Sequence, residues 1–317
     1  MATFLVTGGA GFIGSHIVGA LAGSGESVRV LDDFSSGTRA NLPAESDRTS
    51  IHEEDICNLG RIRPHFEGAE YVIHLAALPS VARSIADPLT SNAVNLDGTL
   101  NVLVAARDAG VKRLVFAASA AAYGDNPVLP RTESLPLDPL SPYALQKLAG
   151  EYYCQVFTRL FCLETVVLRY FNIFGPRQNP ESPYTGVLSK FITAYLREDV
   201  PTIFGDGEQS RDFTHVDNVV NATLRACSAA NAAGKVINVG TGERHTLNQT
   251  VELLNRIFGR QVTPRHGPPR PGDSRHSQAD ISLARRFLGY EPTVRFEDGL
   301  RRTVEWYLSG ATREGSQ

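Results

Sequence analysis

The chain has 317 residues, 42% of them hydrophobic and 21% charged, with a net charge of −3. These values describe a globular chain long enough for one large or two medium domains, and they argue against a general nucleic-acid binder. No apolar run reaches the roughly 20 residues of a membrane span. The N-terminus lacks the basic and long apolar regions of an export signal, so a cytoplasmic protein is expected. Cys57, Cys154, Cys162 and Cys227 show neither metal-ligand nor disulfide-framework spacing, and are expected as reduced, mostly packed thiols.

The first apolar run, Thr3–Val6, predicts a strand, and TGGAGFIG at 7–14 follows it directly and opens a helix. Gly8 permits a tight turn, Gly11 lets backbone approach a diphosphate, and Gly14 lets the helix pack closely on the strand. The helix N-terminus, around Phe12 and Ile13, offers free amides and a positive dipole end to phosphates. A second strand, Ser27–Leu31, is followed by Asp32. A carboxylate there accepts from the adenosine ribose 2′-hydroxyl and repels a 2′-phosphate, which favours NAD over NADP. Arg29 and Arg39 are the nearest positive charges. A surface turn with an unrelated acid would read the same, so the assignment leans on the strand–turn–helix context.

Further apolar runs, Tyr71–Leu75, Arg113–Ala117 and Thr165–Leu168, alternate with helical patterns at Asn92–Asp108 and Pro142–Leu160. Continuous Val, Ile and Leu suit strands buried on both faces of a parallel sheet, and the alternation predicts a doubly wound α/β domain. In SPYALQKL, 141–148, Ser141 is a good N-cap and Pro142 suits the first helical position. Tyr143 and Lys147 then share one helix face. A tyrosine lying on a lysine stem of an ordinary exposed helix would look identical, so the pair alone decides nothing. After Phe174 the pattern loosens into turn-rich stretches among helices near Val187–Leu196, Leu247–Phe258 and Phe296–Leu308. Lys235–Val239 reads as a late strand returning to the first sheet. The expected organisation is a Rossmann domain over 1–174, with a returning segment near 213–242, and a smaller C-terminal substrate domain over 175–212 and 243–317.

Together, TGGAGFIGSH, VLDDFSSG, HLAALPSV, AASAAAYGD, SPYALQK, LRYFNIFGPRQNP, GDGEQSRDFTHVDN and RPGDSRHSQADI resemble the extended short-chain dehydrogenase/reductase family. Within it they look most like the NAD-dependent UDP-hexose 4-epimerases, and the resemblance spans nearly the whole chain. It implies a base at Tyr143, tuned by Lys147, which would also hold the cofactor ribose. Ser119 would hydrogen-bond the reacting oxygen and could shuttle its proton. Free tyrosine, with a pKa of about 10, is a poor base at neutral pH; an adjacent ammonium and a positive nicotinamide would both favour phenolate. The resemblance further implies Asp55 and Ile56 beside adenine, Leu75 and Ala76 along the dinucleotide, and Tyr170 as a cofactor contact. Asn172 would touch the sugar nucleotide, with Val187, Leu188, Ile203 and Phe204 around uracil. Arg211 and Arg270 would clamp the diphosphate, with Asp273 as a ribose partner. The helices Asn92–Asp108 and Pro142–Leu160 resemble those that pair across a two-fold in family dimers, so a homodimer is implied, with Cys154 and Cys162 packed there.

The chain also departs from the family's pattern. Ser119 stands alone among Ala117, Ala118, Ala120, Ala121 and Ala122, where related 4,6-dehydratases carry an Asp–Glu pair that eliminates water. Pro79 occupies a position where some relatives have lysine. Ser277 matches the position where epimerases restricted to unacetylated sugars carry a bulky residue, which implies room for a 2-acetamido group. The resemblance therefore implies interconversion of UDP-GlcNAc with UDP-GalNAc, and of UDP-glucose with UDP-galactose. A UDP-glucuronate epimerase is an alternative, although Asn179 stands near where such relatives place an arginine. A non-catalytic NAD-binding sensor is a second alternative, although Ser119, Tyr143 and Lys147 are all present.

Overall fold

The computed structural model describes residues 1–179, 186–269 and 274–314. Along the first half the chain runs β1 (Thr3–Thr7), α1 (Phe12–Gly23), β2 (Ser27–Asp32), β3 (Thr49–Glu53), α2 (Leu59–Ile62) and β4 (Tyr71–His74). It continues through α3 (Val81–Ala86), α4 (Pro88–Asn92), α5 (Gly98–Asp108), β5 (Arg113–Ser119), α6 (Pro142–Phe161) and β6 (Glu164–Tyr170). Then come β7 (Ile173–Phe174), α7 (Val187–Leu196), β8 (Thr202–Phe204), β9 (Ser210–Arg211), β10 (Thr214–His215) and α8 (Val216–Ser228). The chain closes with β11 (Lys235–Val239), β12 (His245–Thr246), α9 (Leu247–Phe258), β13 (Arg265–Gly267), α10 (Ser282–Leu288) and α11 (Phe296–Glu314).

Seven of these strands form one parallel sheet in the order β11-β6-β5-β4-β1-β2-β3. Strand order reverses between β1 and β4, and a crevice opens beyond their C-terminal ends, the usual ligand position in such sheets. The expected strands all occur, and Lys235–Val239 does return, pairing with β6. One core, including Val6, Ile17, Val30 and Val219, lies on the face covered by α1 and α8. A second, including Leu5, Phe66, Leu103 and Phe157, lies under α5 and α6. A third gathers Phe174, Phe191, Leu254, Phe296 and Val304 away from the large sheet. A strap joins these regions: the Arg177 guanidinium donates to Ser15 O at 3.1 Å and Asn41 O at 3.2 Å.

Three local features differ from the sequence expectation. The helix expected over Asn92–Asp108 begins earlier, at Pro88, and carries a π turn at Ala93–Asp97. The turn faces Asn95 to Leu78, whose amide and carbonyl both bond its side chain, at 2.7 and 3.2 Å. A wide turn exposes backbone and side chain to tertiary partners, as such bulges often do. Strand β3 was not anticipated: TSIHE is short and carries charge at the sheet edge. Cys57 and Cys162 are exposed, and only Cys154 and Cys227 are packed. Cys162 caps α6 in the left-handed region, with φ 55°, so its side chain is turned out of the helix packing.

Two buried polar arrangements fix the sheet to its helices. The Arg169 guanidinium on β6 grips the Glu151 carboxylate on α6 at 2.8 Å, and also donates to the Tyr123 hydroxyl at 2.9 Å. On the other side of β5, His74 lies between Thr7, 2.7 Å from Nδ1, and Thr99, 3.0 Å from Nε2. Thr99 Oγ1 donates its hydrogen to Asn95 O. It therefore accepts from His74 Nε2, leaving Nδ1 to accept from Thr7 in a neutral ring. Burial, with the nearby Lys147 charge, lowers the His74 pKa to about 3. The unfolded ring binds a proton near pH 6.5 and the folded ring does not, so stability falls as pH drops below 6.5. The wild type should therefore lose stability between pH 7.5 and 4.5, and His74→Asn should remove about 2 kcal/mol of that difference. Urea unfolding midpoints at the two pH values measure it; an unchanged pH dependence would show that His74 is not held neutral.

Candidate active site

The loop after β1 is shaped by what its glycines exclude. Gly8 has φ +69°, and a Cβ there would lie 2.6 Å from Ala76 N. A Cβ on Gly14 would lie 2.1 Å from Gly8 O. Both positions bring backbone against backbone, and side chains larger than hydrogen would push β1, α1 and the β4 end apart. Helix α1 starts at Phe12 with Gly11 as N-cap and no side-chain cap. The first-turn amides, including those of Phe12 and Ile13, thus lack a side-chain acceptor and face the crevice with the positive end of the dipole.

Asp32, at the C-terminal end of β2, is 6% exposed. Its Oδ2 accepts from Ala10 N at 2.8 Å and its Oδ1 from Phe34 N at 2.9 Å. Burial raises its pKa, and those two amides oppose the rise. Each oxygen keeps acceptor capacity for a hydroxyl. Arg39 lies 4.4 Å over the Phe34 ring and pairs with Glu53 at 3.3 Å, so its charge is already engaged. Leu75 N and Ala76 N both donate to Thr7 O at 3.1 Å, which brings this segment against the glycine loop. Asp55 is exposed and accepts from Cys57 N at 2.8 Å. The Ile56 side chain packs in the core against Gly98, so any contact it makes with a ligand is through backbone. Tyr170 is buried, with its hydroxyl 2.8 Å from Thr223 Oγ1 on α8.

At the C-terminal end of β5, Ser119 accepts from Ala121 N at 3.1 Å and faces the Tyr143 phenol, whose pKa it acts to lower. Ser141 caps α6 as expected, accepting from Ala144 N at 3.2 Å. Lys147, 4% exposed, donates from Nζ to Ala117 O at 2.9 Å and sits 4.9 Å over the Phe116 ring. Burial brings its pKa down to about 8. Burial raises the Tyr143 pKa, and the Ser119 hydrogen bond opposes the rise. The lysine charge is directed at a β5 carbonyl, so the protein by itself holds Tyr143 as a neutral phenol.

A cavity of about 240 Å³ opens beyond β7, lined by Asn172, Val187, Leu188, Phe204 and Arg211 among others. Five of the residues expected at a sugar nucleotide are thus brought together. Ile203 lies in the core beneath them, fully buried, because alternate residues of β8 point to opposite faces. Gln178, Gln209 and Phe213 also line the cavity; none is singled out by the sequence, although all three lie in the motifs LRYFNIFGPRQNP and GDGEQSRDFTHVDN. Ser277 is 5% exposed, and Asn172 Nδ2 donates to its Oγ at 3.3 Å. Arg211 Nη1 donates to Ser210 O and Arg275 O. Arg270 and Asp273 lie outside the described residues.

The sheet, its glycine loop and Asp32 define a dinucleotide-binding protein of the doubly wound class. The model of the NAD dependent epimerase/dehydratase family matches residues 4–240. The chain is 39% identical over 308 residues to the UDP-glucose 4-epimerase of Mycolicibacterium smegmatis, covering 96% of this chain and 97% of that one. It is 37% identical over 305 residues to a putative UDP-glucose 4-epimerase of Methanocaldococcus jannaschii, covering 95% and 97%. Among solved structures, the UDP-N-acetylglucosamine 4-epimerase of Methanobrevibacter ruminantium M1, in complex with UDP-N-acetylmuramic acid, superposes with a TM-score of 0.94 at 40% identity, covering 98% and 99%. The chain belongs to the NAD-dependent epimerase/dehydratase family, and its cofactor is NAD.

The Asp32 carboxylate provides a direct test of how NAD is held. Asp32→Ala should weaken NAD binding about 10-fold or more, the scale of a lost charge-assisted hydrogen bond, and narrow the preference over NADP. Titration calorimetry with both dinucleotides measures this. Unchanged NAD affinity in the variant, or NADP recovered from the wild type, would reject the assignment.

Proposed function

We propose that the chain is a UDP-sugar 4-epimerase acting on UDP-GlcNAc and UDP-GalNAc as well as UDP-glucose and UDP-galactose. The observation that carries the reaction is the convergence at the end of β5 of Ser119, the buried Tyr143 phenol and the buried Lys147, whose Nζ donates to Ala117 O. NAD, when bound, supplies a hydride acceptor and donor for C4 of the sugar, so the reaction has no net redox change. Tyr143 takes the proton of the 4-hydroxyl and later returns it, with Ser119 bridging phenol and sugar oxygen. Because burial keeps the phenol neutral in the protein alone, the positive charge that arrives with the oxidised cofactor is what favours phenolate. The base is thereby activated only in the loaded site. Alanines flank Ser119, so no acidic pair stands there to drive a 4-keto sugar into elimination.

Substrate roles follow the cavity. We assign Asn172, Val187, Leu188, Phe204 and Arg211 to the nucleotide, with Ile203 supporting them from below and Arg270 and Asp273 completing the diphosphate and ribose contacts. Ser277 is assigned to the sugar 2-substituent: its small side chain adjoins Asn172 and leaves room there. Asp55, Ile56, Leu75, Ala76 and Tyr170 are assigned to NAD. The proposed division is a cofactor domain over 1–174 with the return near 213–242, and a substrate domain from the remainder. A homodimer is proposed through α5 and α6, supported by exposed Leu145, Tyr152, Val156 and Leu160 on α6.

Tyr143→Phe should fold and hold NAD yet lose at least about a hundredfold in kcat, the lower end for loss of a general base. Near-wild-type turnover by the folded variant would reject the role. Ser277→Tyr should lose most turnover of UDP-GlcNAc and UDP-GalNAc while keeping that of UDP-glucose and UDP-galactose, because a ring would fill the acetamido space. The ratio of kcat/KM between the two sugar pairs reads this directly. Equal losses on both pairs would make Ser277 a loop support. Wild-type turnover of UDP-glucuronate alone, or of no sugar at all, would favour the alternative epimerase or a sensor.

A further inference from the structure

We propose that Ser84 is a positioning residue for the reaction: its hydroxyl, reaching across from α3, accepts the Tyr143 backbone amide and sets where the base stands. The inference rests on the reading of Tyr143 as the base. It starts from the amides that the first turn of a helix leaves without intrahelical partners. In α6, Pro142 brings no N–H. Ala144 N donates to Ser141 Oγ at 3.2 Å, and Leu145 N to Ser141 O at 3.0 Å. The remaining amide is that of Tyr143, and it donates to Ser84 Oγ at 3.1 Å. The local cap therefore serves two amides, and a residue 59 positions earlier in the chain serves the third.

Ser84 is itself held. It is 1% exposed, its hydroxyl hydrogen goes to Val81 O at 2.7 Å, and its amide donates to Ser80 O at 3.0 Å. With the hydrogen committed to Val81, a lone pair of Oγ is left to face Tyr143. Ser80 caps α3 by accepting from Arg83 N at 3.0 Å. Just upstream, Asn95 clamps both polar groups of Leu78, and Thr7 O holds Leu75 N and Ala76 N. The segment after β4 is thus anchored by hydrogen bonds at Leu75, Ala76, Leu78 and Ser80 on its way from the glycine loop through α3 to the base. Ser84 is the last of these anchors. It holds the Tyr143 side chain at a fixed distance from Ser119 and in register with the segment that lines the cofactor crevice.

Two substitutions remove the contact in different ways. Ser84→Ala deletes the acceptor, and Ser84→Cys keeps nearly the same shape but offers only a weak one. Both should lower kcat for UDP-glucose about tenfold, the scale of a lost N-terminal cap converted to rate, while KM and NAD content stay within about twofold. Ser84→Thr retains the oxygen and should recover most of the loss. Ser141→Ala removes the local cap from the same helix end. It should cost similar thermal stability but less kcat, since it leaves the Tyr143 amide in place. A folded Ser84→Ala or Ser84→Cys with wild-type kcat, a loss confined to KM, or an equal kcat loss in Ser141→Ala would each overturn the proposal. If Ser84→Ala does not fold, Ser84→Cys carries the same comparison. Hydrogen exchange of the 141–150 peptide gives a readout independent of turnover: the Tyr143 amide should exchange at least about fivefold faster in the Ser84 variants, as expected when a protecting bond is lost. Unchanged exchange overturns the contact. An inactive wild type with accelerated exchange in the Ser84 variants would instead reject the epimerase reading while leaving the contact standing.

Discussion

The backbone carbonyl of Thr7 accepts the amides of both Leu75 and Ala76, and its side chain bonds His74. That junction holds β1 and β4 together just past the point where the sheet's strand order reverses. Much of the crevice depends on it. The glycine loop can run against Ala76 only because the β4 end is held there, and the segment through Leu78 can meet Asn95 only from that starting point. Thr7 is fully buried, so no water competes for its oxygen, and the Ala76 amide also reaches the Thr7 hydroxyl at 3.4 Å. The crevice at the switch point therefore opens beyond a fixed edge.

The candidate base illustrates how burial and charge divide their effects. Taking a phenol and an ammonium out of water favours the neutral form of each, and Tyr143 and Lys147 shift accordingly in opposite directions. Ser119 and Ala117 supply one hydrogen bond each, which moderates but does not reverse the cost of burial. An added positive charge beside the pair acts on both in the same sense, favouring phenolate at Tyr143 and the neutral amine at Lys147. The neighbouring Arg169–Glu151 pair contributes rigidity more than field, because its two charges lie 2.8 Å apart and largely cancel at a distance.

How much could be read beforehand follows the range of the interactions. The first strand, the glycine loop, Asp32 and the capped helix at Ser141 are set by neighbours within a turn or two, and TGGAGFIG and SPYALQK carry them openly. The doubly wound class, the family and NAD were legible for the same reason. Strand β3 was not, since His52 and Glu53 in TSIHE break the apolar run that marks interior strands. The π turn was not, because it answers to Leu78, far from Asn95 in sequence. Ser84 gave no local signal at all; its partner lies on another helix. Ile203 and Phe204 were read as one wall of a pocket, yet the two-residue period of a strand sends one of them inward. For Tyr143 and Lys147, spacing shows that a lysine is near and says nothing of which oxygen its ammonium meets.

The third core has a consequence for how the protein is made. Phe296 stacks on Phe213 with ring centroids 5.1 Å apart and meets Phe174 edge-on at 5.6 Å. Its residues thus come from segments more than a hundred positions apart, and the last of them to leave the ribosome is the stretch from Phe296 to Tyr307. Six strands of the large sheet are synthesised before residue 171, early enough to pair while the remainder is still in the tunnel or unmade. Synthesis is therefore ordered in time: most of the parallel sheet exists before the final helix, and the core behind Phe174 and Phe213, two residues that line the cavity beyond β7, is completed only when that helix docks.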